Sequence, residues 1–441
     1  MVKLVNTLAK LKRCKILVIG DLMLDAYTIG KASRISPEAP VAVVRVIHEE
    51  TKAGGAGNVA LNLISLGLDV AILGRIGTDD AGEVLKKILR EEKIDVTSLV
   101  AQPNYKTPIK NRIIADNQQI VRIDREQEAP LSKEIEEQVI ASFSLLFEGV
   151  AAVAISDYGK GFLTNALLQQ IMQEAISLNI PVITDPKGVD FSKYRGTTII
   201  KPNLSESYAA SGMPKDASLD RVAEAILAKT DAQTVLITRS EAGISIFQNE
   251  EQRIDCPVSI RQIRDVTGAG DTVLAVITCA IACGVEIQEA AELSNVAAGI
   301  AIERPGCARI SIADMAERLL DGDVITKVFD EKNIFALMKM LESSSYVVLD
   351  LSAEVDITLN TFRAIQTLAN LENLKVVIYL QKEMSGLNLI QFLSSLHEVK
   401  YIVQQNESLN RLYQKMPPNE VYTIQEGALA KMSSTMEVVT L

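Results

Sequence analysis

The chain has 441 residues, 48% hydrophobic and 23% charged, enough for two domains with ordinary cores. Its 45 Lys and Arg against 56 Asp and Glu leave a formal charge of −11, which excludes a general nucleic-acid or anionic-membrane binder, because both need a cationic surface. A local basic pocket for phosphates stays compatible with that balance.

The N-terminus, MVKLVNTLAKLKRCKILVIGD, lacks a long apolar run ending in a small-residue cleavage site. The longest apolar run, 273–283, is too short to span a bilayer, so a cytoplasmic protein is expected. KILVIG (15–20), VAILG (70–74), VAAVAIS (150–156), PVITD (181–185), TTIIKP (197–202) and TVLIT (234–238) read as buried parallel strands. Helical patterns at 58–66, 83–92, 165–178 and 219–228 fall between them, which predicts an α/β fold built on a doubly wound sheet. Two stretches break the alternation, 26–50 and 106–126, the second around a turn-like Ala115-Asp116-Asn117. Both look like exposed strands of a small β lid over the C-terminal edge of the sheet, where ligands bind in such folds. Such a flap is an edge ready for pairing, so a homodimer is expected. A helix near 312–320 closes this first domain, expected over 1–322. A linker is expected at 323–335, within DGDVITKVFDEKN, and a smaller α/β domain at 336–441. Its strands are SYVVLDL (345–351), KVVIYLQ (375–381), KYIVQQ (400–405) and EVYTIQ (420–425).

With only His48 and His397, a histidine metal site or a Ser-His-Asp triad is not expected. Cys14, Cys256, Cys279, Cys283 and Cys307 form no CxxC pair and read as reduced core cysteines.

The strongest motif is DVTGAGDTVLAVITCAIACG (265–284). In Thr267-Gly268-Ala269-Gly270, small residues let backbone N–H groups converge at the start of a helix, an anion hole for a moving phosphoryl group. Asp271 stands beside it, placed to take a proton from an attacking hydroxyl. A tight turn with Asp271 as a helix cap is the plain structural alternative. In KPNLSE (201–206), Asn203 and Ser205 can bond phosphates, and Glu206 can orient Mg²⁺ through water; N-capping of the next helix is the competing reading. TRSEAGISIF (238–247) suits a nucleotide wall or a surface hairpin. Asp21 and Asp25 in GDLMLD, with Gly54 and Gly55 in GGAGNVALNLISLG, suit a polyhydroxylated sugar packed on main chain. Asp157 and Lys160 end another strand, and Lys160 or Arg122 can hold a phosphate already on the sugar.

These loops, in this order, resemble the ribokinase-like carbohydrate kinases over about residues 10–320. GD near the start, GGAGNVALNL, NLSE and DVTGAGDT carry the resemblance. It implies an α/β sandwich with a β lid, ATP as donor, Mg²⁺, and a base at Asp271 beside an anion hole from Thr267 to Gly270. The expected ATP site is Asn203, Leu204, Ser205, Glu206, Thr238, Ser240, Gly243 and Asn295. The expected sugar site is Asp21, Asp25, Gly54, Gly55, Asn58, Arg122, Asp157 and Lys160. SRISPEAPVAVV (33–44), KNRIIADNQQIVRID (110–124), SDYGKG, DPKGVDFSKYRGTTIIKPNLSE (185–206) and TRSEAG look like the branch acting on D-glycero-D-manno-heptose 7-phosphate. That branch phosphorylates the anomeric hydroxyl on the way to ADP-heptose and lipopolysaccharide. Ala26 departs from it, since an arginine is expected after Asp25. A kinase for fructose, ribose or their phosphates, and a non-catalytic sugar or nucleotide sensor, are the alternatives. The C-terminal domain is similar in pattern to a fused adenylyltransferase, but Leu359-Asn360-Thr361-Phe362 stands where its HxGH loop is expected. The expectation is a degenerate, inactive nucleotidyltransferase-like domain with a part in dimerisation or scaffolding.

Overall fold

The structure is a computed structural model. It describes residues 2–116, 118–248, 253–258, 263–320, 327–330, 334–342, 344–351, 358–371, 374–381, 387–405, 417–425, 427–432 and 438–440. Two compact units emerge, Lys10–Ser311 and a second made of Met1–Ala9 with Ile312–Leu441. Among the described residues, no helix is long and apolar enough to cross a membrane.

The first unit is built on β1 (Lys15–Ile35), β2 (Ala42–Gly55), β3 (Asp69–Gly77), β4 (Leu99–Gln102), β5 (Ile109–Ala115), β6 (Gln118–Arg125), β7 (Val150–Ser156), β8 (Val182–Asp185), β9 (Ile199–Ile200), β10 (Thr234–Thr238), β11 (Ile244–Gln248) and β12 (Ile254–Cys256). The main sheet runs β12-β11-β10-β9-β8-β7-β1-β3-β4. It is parallel from β4 to β10 and antiparallel at the β11 and β12 edge. Its β-branched strands are buried on both faces, as helices on each side require. Leu17 and Ile19 pack with Leu167, Leu168 and Ile171 of the helix Asn165–Ser177, while the alternating Ile16 and Val18 are equally buried.

The lid is continuous with this sheet. The first residues of β1 pair with β3 and β7, and from Leu22 onward the same strand pairs with β2 and then β5. β5 turns back into β6. The expected lid segments therefore lie in a four-stranded extension whose centre is the far half of the first core strand.

In the second unit, β13 (Val328–Phe329), β14 (Tyr346–Asp350), β15 (Lys375–Gln381), β16 (Val399–Gln405), β17 (Glu420–Gln425), β18 (Ala428–Met432) and β19 (Val438–Thr440) form a sheet in the order β13-β16-β15-β14-β17-β18-β19. It is parallel from β13 to β17. Val347, Leu349, Val376 and Ile378 make its core with Ile365 and Leu368 of the helix Leu359–Ala369. The boundary between units falls before Ile312, and Val328–Phe329, inside the expected linker, is an edge strand of this sheet. A two-residue strand is below what sequence periodicity can register.

Candidate active site

Asp271 lies in the first turn of the helix Ala269–Ala282, after Gly268 in the left-handed conformation (φ 79°). A β-carbon on Gly268 would stand 2.8 Å from Asn58 Nδ2, so glycine is required twice, for its dihedral and for this approach. The helix packs against Ala56–Ser65, which brings Asn58 to Asp271. Asn58 Nδ2 donates to Asp271 Oδ2 at 2.8 Å and Tyr158 OH donates to Oδ1 at 2.7 Å. Burial pushes the Asp271 carboxyl up to about 7, against these two hydrogen bonds, which favour the charged form. The result is a buried, oriented carboxylate that titrates near neutrality, as a general base needs.

The loop before it is anchored by Asp265, whose Oδ1 accepts Thr267 N–H and whose Oδ2 accepts Gly306 N–H, both at 2.9 Å. Lys201 and Asp185 form a buried ion pair at 2.9 Å, and both would lie 3.9 Å from a β-carbon on Gly270. Thr238, Ser240, Gly243 and Asn295 line one cavity of about 250 Å³ together with Ala269 and Gly270 of the expected anion hole. Its apolar walls, Val266, Val273 and Ile302, suit a flat base, and its mouth reaches the small-residue loop. The residues present thus fit a nucleotide, with Ala269 and Gly270 in the cavity wall.

The sugar-side residues divide. Gly54 lies against Asp25, since a β-carbon there would stand 2.2 Å from Asp25 Oδ2. Gly55 is the N-cap of the helix that carries Asn58. Arg112, from β5, bonds Asp25 Oδ1 at 2.5 Å. Asp25 thus receives a guanidinium from the lid strand β5, while Ala26 follows it on β1. Asp21 is turned to the backbone, accepting Tyr158 N–H and Lys160 N–H. Burial, then Asp157, pushes it up to about 6. Asp157 is buried and takes the Tyr194 hydroxyl, Lys193 and Gly159 N–H, so it organises its own loop. Arg122 is exposed on β6 and forks onto Asp124. Lys160 is buried and pairs with Glu126 at 3.0 Å, and Lys110 lies 5.4 Å above the Tyr158 ring. Burial lowers the Lys110 pKa, Glu126 and Asp25 oppose this, and Lys160 and Arg122 lower it further.

In KPNLSE the structure shows the N-capping reading. Asn203 and Glu206 make a reciprocal capping box, and Glu206 Oε1 also accepts from Lys187 at 2.9 Å. Leu204 and Ser205 are exposed in the first turn of that helix. Residue-type reasoning passed over Tyr158, Lys201, Asp185, Arg112, Lys110 and Asp265. Tyr158, Lys201 and Asp265 sit inside the motifs SDYGKG, KPNLSE and DVTGAGD, one or two places from a residue it chose.

The pfkB family of carbohydrate kinases matches residues 13–314, and the chain belongs to that family. That is a family of sugar kinases. Among curated relatives, it is 46% identical over 303 residues to the bifunctional protein HldE of Trichlorobacter lovleyi, covering 68% of this chain and 62% of that one. It is also 46% identical over 320 residues to the bifunctional protein HldE of Geobacter sulfurreducens, covering 71% and 65%. The match thus spans less than two thirds of these relatives' own length. Among solved structures, Arabidopsis thaliana ribokinase complexed with ribose and ATP is similar with a TM-score of 0.55 at 19% identity, covering 70% of this chain and 99% of that one. Escherichia coli phosphofructokinase-2 in complex with potassium is similar with a TM-score of 0.58 at 21% identity, covering 69% and 97%. At such identities these structures speak for the fold.

Proposed function

We propose that the chain transfers phosphate from ATP to the anomeric hydroxyl of D-glycero-D-manno-heptose 7-phosphate, giving the 1,7-bisphosphate. The observation that carries the chemistry is Asp271, held by Asn58 and Tyr158 beside a small-residue loop and a nucleotide-sized cavity. The relatives named as the bifunctional protein HldE, together with the motifs shared with heptose 7-phosphate kinases, support the substrate. So does the basic cluster of Lys110 and Lys160, whose counter-charge Glu126 a substrate phosphate can displace.

In this reading, ATP with Mg²⁺ supplies the phosphoryl group and the charge neutralisation. Asp271 takes the proton of the anomeric hydroxyl at its carboxylate. Backbone N–H groups from Thr267 to Gly270 receive developing negative charge at the helix N-terminus. Gly54 lets the sugar approach main chain, with Asp25, fixed by Arg112, beside it. Glu206 orients the metal's waters. The protein acts in the cytoplasm as a homodimer joined through the lid, where Ile35, Val41, Val46, Ile47, Ile120 and Val121 are exposed. The C-terminal unit is a nucleotidyltransferase-like domain without its chemistry. The segment Leu359-Asn360-Thr361-Phe362 opens a helix capped by Thr358 and brings no histidine to a phosphate.

The test is ADP release with Mg-ATP and the heptose 7-phosphate, beside fructose 6-phosphate, fructose and ribose. Turnover with the heptose phosphate alone supports the proposal. Preference for an unphosphorylated sugar overturns the substrate and keeps the mechanism, and no turnover with any sugar overturns both.

A further inference from the structure

Three of the five cysteines converge at the far end of the helix that carries Asp271. Cys279 and Cys283 are one turn apart, and Cys283 caps the helix C-terminus. Cys14, just before β1, turns its thiol to Cys283. Cys283 Sγ accepts Lys12 N–H at 3.2 Å, and its thiol donates to the Lys12 carbonyl oxygen at 3.4 Å. Cys279 is buried, whereas Cys14 and Cys283 are half-buried and open to small solutes. Cys256 and Cys307 are buried elsewhere, and burial raises them to about 11 and about 12. Nothing in the phosphoryl transfer uses the three-thiol cluster. Among the described residues, no group of three or more His, Cys, Asp or Glu could hold a metal, so the cluster is not a metal site.

We propose that Cys283 is a site of oxidation by hydroperoxides and that Cys14 is its resolving thiol. The Cys283 thiolate attacks the outer oxygen of ROOH. A sulfur–oxygen bond forms, the O–O bond breaks, and RO⁻ leaves to take up a proton. Cys283 has then lost two electrons and is a sulfenic acid. The Cys14 sulfur attacks the Cys283 sulfur, the S–O bond breaks, and hydroxide leaves with the Cys14 proton as water. Hydrogen bonds from Cys14, Cys279 and Lys12 N–H hold the Cys283 thiol below its ordinary range, while Cys14 is held above. Cys279 shares the helix and is shielded, which leaves Cys14 to resolve. The disulfide joins the lead-in to β1 to a helix whose other end, roughly 18 Å away at 1.5 Å per residue, bears the base.

The experiment treats the full chain with limiting hydrogen peroxide, alkylates the remaining thiols and maps peptides by mass. The expected product links the peptides of Cys14 and Cys283, lighter by two hydrogens and reversed by dithiothreitol, with Cys256 and Cys307 still alkylated. In Cys14→Ser a 1,3-dione should trap the sulfenic acid on Cys283, and in Cys283→Ser both products should vanish. The proposal falls if Cys283 stays reduced, if Cys256 and Cys307 oxidise as fast, or if Cys279 replaces Cys14 in the link. The wild-type map decides even where a variant fails to fold, and a mass readout stands apart from any question of substrate.

Discussion

Asp271 is asked to be buried and charged at once, and its two donors are what reconcile the demands. Asp271→Asn keeps the side-chain shape, leaves one acceptor oxygen in place of two and removes the base, so turnover should drop by a factor on the order of 10³ while calorimetry still detects sugar phosphate binding. A base that titrates at about 7 works above that pH, so kcat should fall as pH drops below neutral. Tyr158→Phe removes a donor that favours the charged form, which raises the Asp271 pKa and should move the acid limb of the kcat profile to higher pH. An unmoved limb would reduce Tyr158 to packing. The same shift bears on stability. With a folded pKa above the reference of 3.8, Asp271 contributes stability at low pH that is lost as pH rises through about 7. The gain in Tm from Asp271→Asn should therefore be larger at pH 8 than at pH 5.

At the level of elements, the site is a meeting of helix N-termini and strand ends, and each has a cost when its local rule is broken. Gly268→Ala demands a left-handed alanine and pushes on Asn58, so we expect a loss of about 1–2 kcal/mol in urea unfolding, with turnover lost alongside. Asn203→Ala should cost about 1 kcal/mol through its cap alone. These elements were legible beforehand because they are long and periodic, or because small residues cluster: the strands near 15, 150 and 234, and the loop 267–270, stand where the sequence puts them. What sequence hides is direction. Asp21 and Asp157 read as sugar ligands by type; in the structure Asp21 accepts the backbone N–H groups of Tyr158 and Lys160, Asp157 takes Tyr194, Lys193 and Gly159 N–H, and Tyr158, next to Asp157, reaches Asp271. Arg112 and Arg122 are cross-strand partners on neighbouring antiparallel strands and share a face of the sheet, yet only Arg112 meets Asp25, because β5 lies beside β1 and β6 is one strand further out, an order that composition does not show. The guanidinium for Asp25 comes from 87 positions away, a contact that exists only once β1 and β5 are paired.

At the scale of the whole molecule, the proposed function has the lid join catalysis to assembly. Ile47→Lys on its exposed apolar surface should shift the protein to monomer in sedimentation velocity, and a dimer that survives the charge would be held elsewhere. The C-terminal unit makes a separate prediction: with Mg-ATP and a heptose 1-phosphate, no pyrophosphate should appear. β1 itself has a mechanical meaning. A flap hung on a loop swings about a hinge, but this flap grows out of a core strand as a leaf spring grows from its clamp. Leu22 to Asp25 are gripped by β2 and β5 close to the sheet, and the first register shift with β2 comes only at Ile29 and Gly30. Bending therefore gathers in the outer half, so the tip can lift for a substrate to enter while Asp25 keeps its aim.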